Sequence, residues 1–75
     1  MPETTTRAVT ISVNGAARGL GGDCATIADL VRDMGLEGKR IAVEKNGAIV
    51  PRSRYAEATL AAGDRIEIVG AVGGG

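Results

Sequence analysis

Seventy-five residues make one domain, because a chain of this size buries only about 60% of its unfolded surface and cannot support two cores. Nine basic and nine acidic side chains cancel, and no run of like charge exceeds two residues, so neither a nucleic-acid face nor a membrane surface is expected. Cys24 is alone and histidine is absent, which excludes an internal disulfide and leaves a metal site without its usual ligands.

The first six residues, Met1 to Thr6, are polar and lack the apolar stretch of a signal peptide or membrane span, so a cytoplasmic protein is expected. Residues 1–7 read as a disordered extension and 8–69 as the folded domain. Val9, Ile11 and Val13 alternate with Thr10 and Ser12, the period of a strand buried on one face. Asn14-Gly15 tolerates the positive φ angles of a tight hairpin, so Ala16 to Leu20 returns as a second, antiparallel strand. Gly21-Gly22-Asp23 leads out of it.

Thr26-Ile27-Ala28-Asp29 has the form of a capping box and starts a helix, which Gly35 closes as a left-handed cap. Ile27, Leu30, Val31 and Met34 form one apolar stripe, with Asp29, Arg32 and Asp33 directed to water. A third strand covers Ile41 to Lys45. Asn46-Gly47 turns it into a short strand, Ala48 to Val50, which Pro51 stops because proline cannot donate to a ladder. Arg52 to Ala62 reads as irregular, with Leu60 as its core anchor. Gly63-Asp64 turns into the last strand, Arg65 to Val69, whose Ile66 and Ile68 face the helix.

This order predicts an α+β fold of the β-grasp, ubiquitin-like kind: a mixed sheet of about five strands packed on one main helix, with the last strand placed centrally beside the first. The core must be aliphatic, since Tyr55 is the sole aromatic residue. With one helix and one sheet there is little room for a deep pocket, and no nucleophile stands beside a base. Cys24 precedes the helix, where the positive end of the dipole could lower a thiol pKa, but a small packing residue is the better reading.

Residues 70–75 form an expected flexible tail, Gly70-Ala71-Val72-Gly73-Gly74-Gly75. Glycine without a Cβ passes channels too narrow for other residues, and six extended residues reach at most about 20 Å at roughly 3.3–3.6 Å each. A glycine-rich end also suits an inert linker; its place directly after a core strand favours a functional one. The α-carboxylate of Gly75, with a pKa near about 3.5, is ionised at neutral pH and can attack the α-phosphorus of ATP held by a partner. Gly73 and Gly74 would thread the partner's active site. Val72, the one bulky apolar residue of the tail, is expected to contact a partner.

Several segments together, Val13-Asn14-Gly15, Thr26 to Leu30, Ile41 to Asn46, Ile49 to Arg52, Leu60 to Val69 and Val72 to Gly75, resemble the ThiS family, the sulfur carriers of thiamine biosynthesis. The likeness covers nearly everything from Val9 onward. It implies that Gly75 is adenylated by a ubiquitin-activating-like adenylyltransferase and converted to a thiocarboxylate. That group then gives its sulfur to thiazole synthase for the thiazole ring of thiamine. The sulfur would come from a donor such as a cysteine desulfurase. The chain would bind no cofactor, the ATP being the partner's, would be monomeric when free, and would be a co-substrate rather than an enzyme. The extension through Arg7 is longer than the family core needs, and Tyr55 stands where a tryptophan is frequent.

Three other readings share these features. The small subunit of molybdopterin synthase carries sulfur on the same fold and also ends in Gly-Gly, but the Val50-Pro51-Arg52 run, the third glycine and the tail without prolines favour the thiamine carrier. A non-catalytic ubiquitin-like interaction module would need no reactive carboxylate. A protein modifier would end in an isopeptide bond, and Lys39 and Lys45, ordinary surface lysines, do not point to one.

Overall fold

The computed structural model describes residues 9–22 and 24–70. Strands β1 (Val9–Val13) and β2 (Ala16–Leu20) pair antiparallel with Val13 opposite Ala16. Asn14 and Gly15 between them both take positive φ, 52° and 85°, the mirror-image turn that matches the twist of the flanking strands.

The helix α1 (Ile27–Asp33) opens on a complete capping box. The Asp29 amide donates to Thr26 Oγ1 at 3.2 Å, and the Thr26 amide donates to Asp29 Oδ2 at 3.1 Å; loss of such a cap typically costs about 1 kcal/mol. At the other end Gly35, at φ 74°, donates to Arg32 O, and Leu36 donates to Val31 O. These two bonds satisfy carbonyls the helix itself cannot reach, and they turn Leu36 back onto the core. The apolar stripe packs as expected, with Ile27, Leu30 and Val31 buried and Met34 half-buried. Asp29 differs from its expected outward orientation: its work in the cap holds it half-buried, while Arg32 and Asp33 are exposed.

Strands β3 (Ile41–Lys45) and β4 (Ala48–Val50) form the second hairpin around Asn46 and Gly47, at φ 52° and 88°. The stretch after Pro51 is not wholly irregular. Arg52–Arg54 forms a 3₁₀ turn, and the segment beyond it closes over the start of α1. The Ala28 amide donates to Tyr55 O, the Ile27 amide to Ala58 O, and the Leu60 amide to Ala25 O. The open end of the helix is thereby filled with carbonyls.

Strand β5 (Arg65–Gly70) lies between the hairpins, giving the order β2-β1-β5-β3-β4. It runs parallel to β1, with Val13 opposite Ile66, and antiparallel to β3 from Lys45–Ile66 to Ile41–Gly70. The β-grasp arrangement and the central last strand are thus as the sequence implies. The strand extends one residue past Val69, because Gly70 still pairs with Ile41.

The core lies between this sheet and α1. Ile11, Val13 and Leu20 come from the first hairpin, Val43, Ile66 and Ile68 from the two middle strands, and all are buried with the helix stripe. It is wholly aliphatic, and no polar or charged residue is buried among the described residues. Leu60 packs half-buried against it, as an anchor should. No described helix is long and apolar enough to cross a membrane.

Candidate functional site: the exit of the central strand

The expected reactive residues, Val72, Gly73, Gly74 and Gly75, lie outside the described residues. What the structure places is the point from which they continue, and how rigidly it is held. Gly70 ends β5 opposite Ile41. Two residues earlier, the Ile68 amide donates to Asn14 Oδ1 at 2.7 Å, and Asn14 Nδ2 donates back to Ile68 O at 3.0 Å. The Asn14 amide also donates to Ile66 O. β1 has ended by this point, so the turn asparagine takes over its pairing role on that side of β5.

The second Asn-Gly turn does the same at the other end. Asn46 Oδ1 accepts from the Arg65 amide at 2.8 Å, Asn46 N–H donates to Arg65 O at 2.7 Å, and Asn46 Nδ2 donates to Asp64 Oδ1 at 3.0 Å. Asp64 in turn accepts from the Ala61 amide at 2.8 Å, with Lys45 Nζ at 3.9 Å. Partial burial pushes the Asp64 carboxyl up, but the Asn46 and Ala61 hydrogen bonds and the Lys45 charge prevail and hold it below the usual aspartate value. Both turn asparagines therefore fix the strand that leads to the tail. Sequence reading found the turns and missed this second use of their side chains.

The exit is flanked on its solvent side by apolar surface. Ladder pairing puts Val69 opposite Ala42, and Ile49 opposite Glu44. Since side chains alternate along a strand, Val69 and Ile49 share the sheet face turned away from α1. They are 61% and 72% exposed, the large apolar residues left open among those described. Neither was singled out from the sequence, although the alternation after Ile66 and Ile68 would have sent Val69 outward.

Cys24 is half-buried, packed against the core cluster. Burial pushes its thiol pKa up, and the carboxylates of Asp29 and Asp33 push the same way against Arg18 and Arg32. Its packing against the core is as the sequence reading preferred, and the lowering that a helix end could bring is not found. The amides of Ile27, Ala28 and Asp29 are already bonded to Ala58 O, Tyr55 O and Thr26 Oγ1, and the nearby acids outweigh the nearby bases. No group of three metal-binding side chains occurs among the described residues.

Among the described residues the arrangement offers no catalytic pair; it offers a central strand, bonded on both sides, that ends at Gly70 next to the exposed Val69 and on the same sheet as the exposed Ile49. Comparisons with known proteins point to one family. The model of the ThiS family matches residues 11–75. The chain is 47% identical over 53 residues to the sulfur carrier protein ThiS of Bacillus subtilis, covering 71% of this chain and 80% of that one. It is 38% identical over 63 residues, 84% of its length, to a thiazole synthase of Paramagnetospirillum magneticum, but spans only 19% of that longer protein. The crystal structure of the thiamine biosynthesis protein ThiS from Geobacter metallireducens superposes with a TM-score of 0.75 at 25% identity, over 89% of this chain and all of that one.

Proposed function

Because the chain belongs to the ThiS family, we propose that it is a sulfur carrier protein of thiamine biosynthesis whose reactive group is the α-carboxylate of Gly75. The observation that carries this is the family match running through residue 75, joined to a central strand that ends at Gly70 with its backbone clamped on both sides. A ubiquitin-activating-like adenylyltransferase supplies the ATP and the catalysis. The carboxylate attacks the α-phosphorus and pyrophosphate leaves; the terminal sulfur of a donor persulfide, such as that of a cysteine desulfurase, displaces AMP at the carbonyl carbon, and a thiol then cleaves the S–S bond of the acyl disulfide, taking up the donor's sulfur in a new disulfide and releasing the thiocarboxylate. The thiocarboxylate so formed hands its sulfur to thiazole synthase. The carrier is a co-substrate of these cytoplasmic enzymes and performs no catalysis itself.

Each structural feature has a place in this reading. Gly73 and Gly74 thread the partner's active site because they add no side chain beside the nucleotide. Val72 meets the adenylyltransferase, and Ile49 and Val69 form the apolar face on which that partner rests. Thiazole synthase as acceptor is supported by the Paramagnetospirillum relative, in which a stretch similar to this chain and a synthase share one polypeptide. The raised Cys24 thiol argues against sulfur being carried there.

The test is mass spectrometry of the C-terminal peptide after incubation with ATP, the adenylyltransferase and a sulfur source. One oxygen of Gly75 is replaced by sulfur. Added mass on Cys24 with Gly75 unchanged would sink the assignment, and sulfur delivery to molybdopterin synthase but not to thiazole synthase would move it to the other cofactor.

A further inference from the structure

We propose that the groove between α1, the loop that follows Gly35 and the 3₁₀ turn is a docking site for a partner protein segment that carries one large apolar side chain flanked by carboxylates. This goes beyond the carrier reading and does not depend on it. The groove has a volume of about 190 Å³. Buried Val31 and half-buried Ala28, Leu36, Ile41 and Tyr55 supply its apolar walls. A cavity of roughly 150 Å³ lined by aliphatic residues accepts a benzene, so a leucine or phenylalanine side chain fits.

The fold sets these walls in advance. Left-handed Gly35 turns the chain back, so that the Leu36 amide donates to Val31 O and the Lys39 amide to Leu36 O. Arg52 Nη2 donates to Lys39 O at 3.1 Å and ties the 3₁₀ turn to this loop. On the opposite wall the Ala28 amide holds Tyr55 O. Little ordering cost therefore falls on binding. Charge selects the occupant. Among the described residues, Arg18, Arg32, Lys45 and Arg54 each have a carboxylate partner, whereas Lys39 and Arg52, exposed at the rim of the groove, have none there. Arg52 uses one N–H on Lys39 O, and its remaining donors suit a carboxylate. Glu37 also lines the groove and opposes the two cations.

The groove lies on the α1 side of the sheet, because Ile41 shares its strand face with buried Val43. Ile49 and Val69 occupy the other face, paired opposite Glu44 and Ala42. One partner can thus seat in the groove while another covers the sheet.

Methyl NMR of the full chain, titrated with the blocked peptide acetyl-Glu-Asp-Phe-Asp-Glu-amide, tests the site. The chain's one aromatic residue is Tyr55, so a phenylalanine ring entering the groove stands out: it displaces the Val31, Leu36 and Ile41 methyl signals, saturating in the millimolar range. Alanine in place of the peptide's phenylalanine weakens binding about tenfold or more, and amides in place of its acids weaken it about threefold or more. Lys39→Glu and Arg52→Glu each weaken the acidic peptide about threefold or more but leave the affinity of the amide peptide unchanged, and Glu37→Gln strengthens the acidic one. Equal affinity for the acidic and amide peptides, displacements centred on Ile49 and Val69, or no saturation in that range would each overturn the proposal. So would groove signals that move with protein concentration alone, which would give the groove to a second copy of the chain. No enzyme or sulfur chemistry enters these measurements, so their failure leaves the carrier assignment standing, and failure of thiocarboxylate formation leaves the docking site standing.

Discussion

Asn14 and Ile68, 54 residues apart, exchange two hydrogen bonds across the top of the sheet, side chain to backbone in both directions. The asparagine occupies a left-handed position of the first hairpin turn, and so a residue that any turn would favour also secures the strand from which the tail departs.

Replacing it separates the two roles. Asn14→Gly keeps the positive φ but leaves the Ile68 amide and carbonyl without their partner on that side, at a cost of about 1–3 kcal/mol. For a domain of this size that lowers Tm by about 4–8 °C per kcal/mol. Urea and thermal melts measure the loss, and faster exchange of the Ile68 amide locates it. A variant as stable as the parent would show that the clamp contributes nothing.

Ile49→Asp tests the apolar face. Burying an isoleucine at an interface is worth about 1.5–3 kcal/mol, so affinity for the adenylyltransferase falls at least about tenfold. The side chain is 72% exposed in the free protein, hence Tm stays near that of the parent. Titration calorimetry beside a melting curve reads both; unchanged affinity places the partner elsewhere.

Cys24→Ser leaves thiocarboxylate formation on Gly75 nearly intact, and the parent thiol reacts with iodoacetamide more slowly than a free cysteine, because burial and the adjacent acids disfavour its thiolate. Loss of sulfur transfer with the circular dichroism spectrum preserved would return Cys24 to the chemistry.

Asp64 gives the fold an acid limit. Its folded pKa lies below the unfolded value, so its contribution to stability is fully present above the unfolded value of about 3.9 and is lost as pH falls through the folded one. Asp64→Asn therefore costs stability at pH 7 and flattens the decline below about pH 4. Melts taken at successive pH values decide it, and parallel curves for parent and variant would exclude Asp64 as a source.

The order of elements was legible because each carries a local signature. Asn14-Gly15 and Asn46-Gly47 announce hairpins, Thr26 to Asp29 a helix start and Gly35 its end, and all four adopt the backbone those residues favour. What stayed hidden depends on chain segments meeting from afar. Nothing local to Tyr55 or Ala58 says that their carbonyls will close the first turn of α1. Likewise, the outward placement of Ile49 follows only from its register against Glu44. The Cys24 thiol illustrates the same point, since its burial first, and the acids near it second, push its pKa up whatever its place ahead of the helix.

The central position of β5 also has a mechanical meaning. A partner that draws on the chain beyond Gly70 pulls the strand along its own length, while its rungs to β3 between Ile41 and Lys45 and the Asn14 clamp lie across that direction. Such bonds carry load together and must slip as a set, whereas an edge strand peeled from one end surrenders them singly. The domain can thus serve as a handle that transmits force from an active site to its whole body without unravelling from the end being pulled.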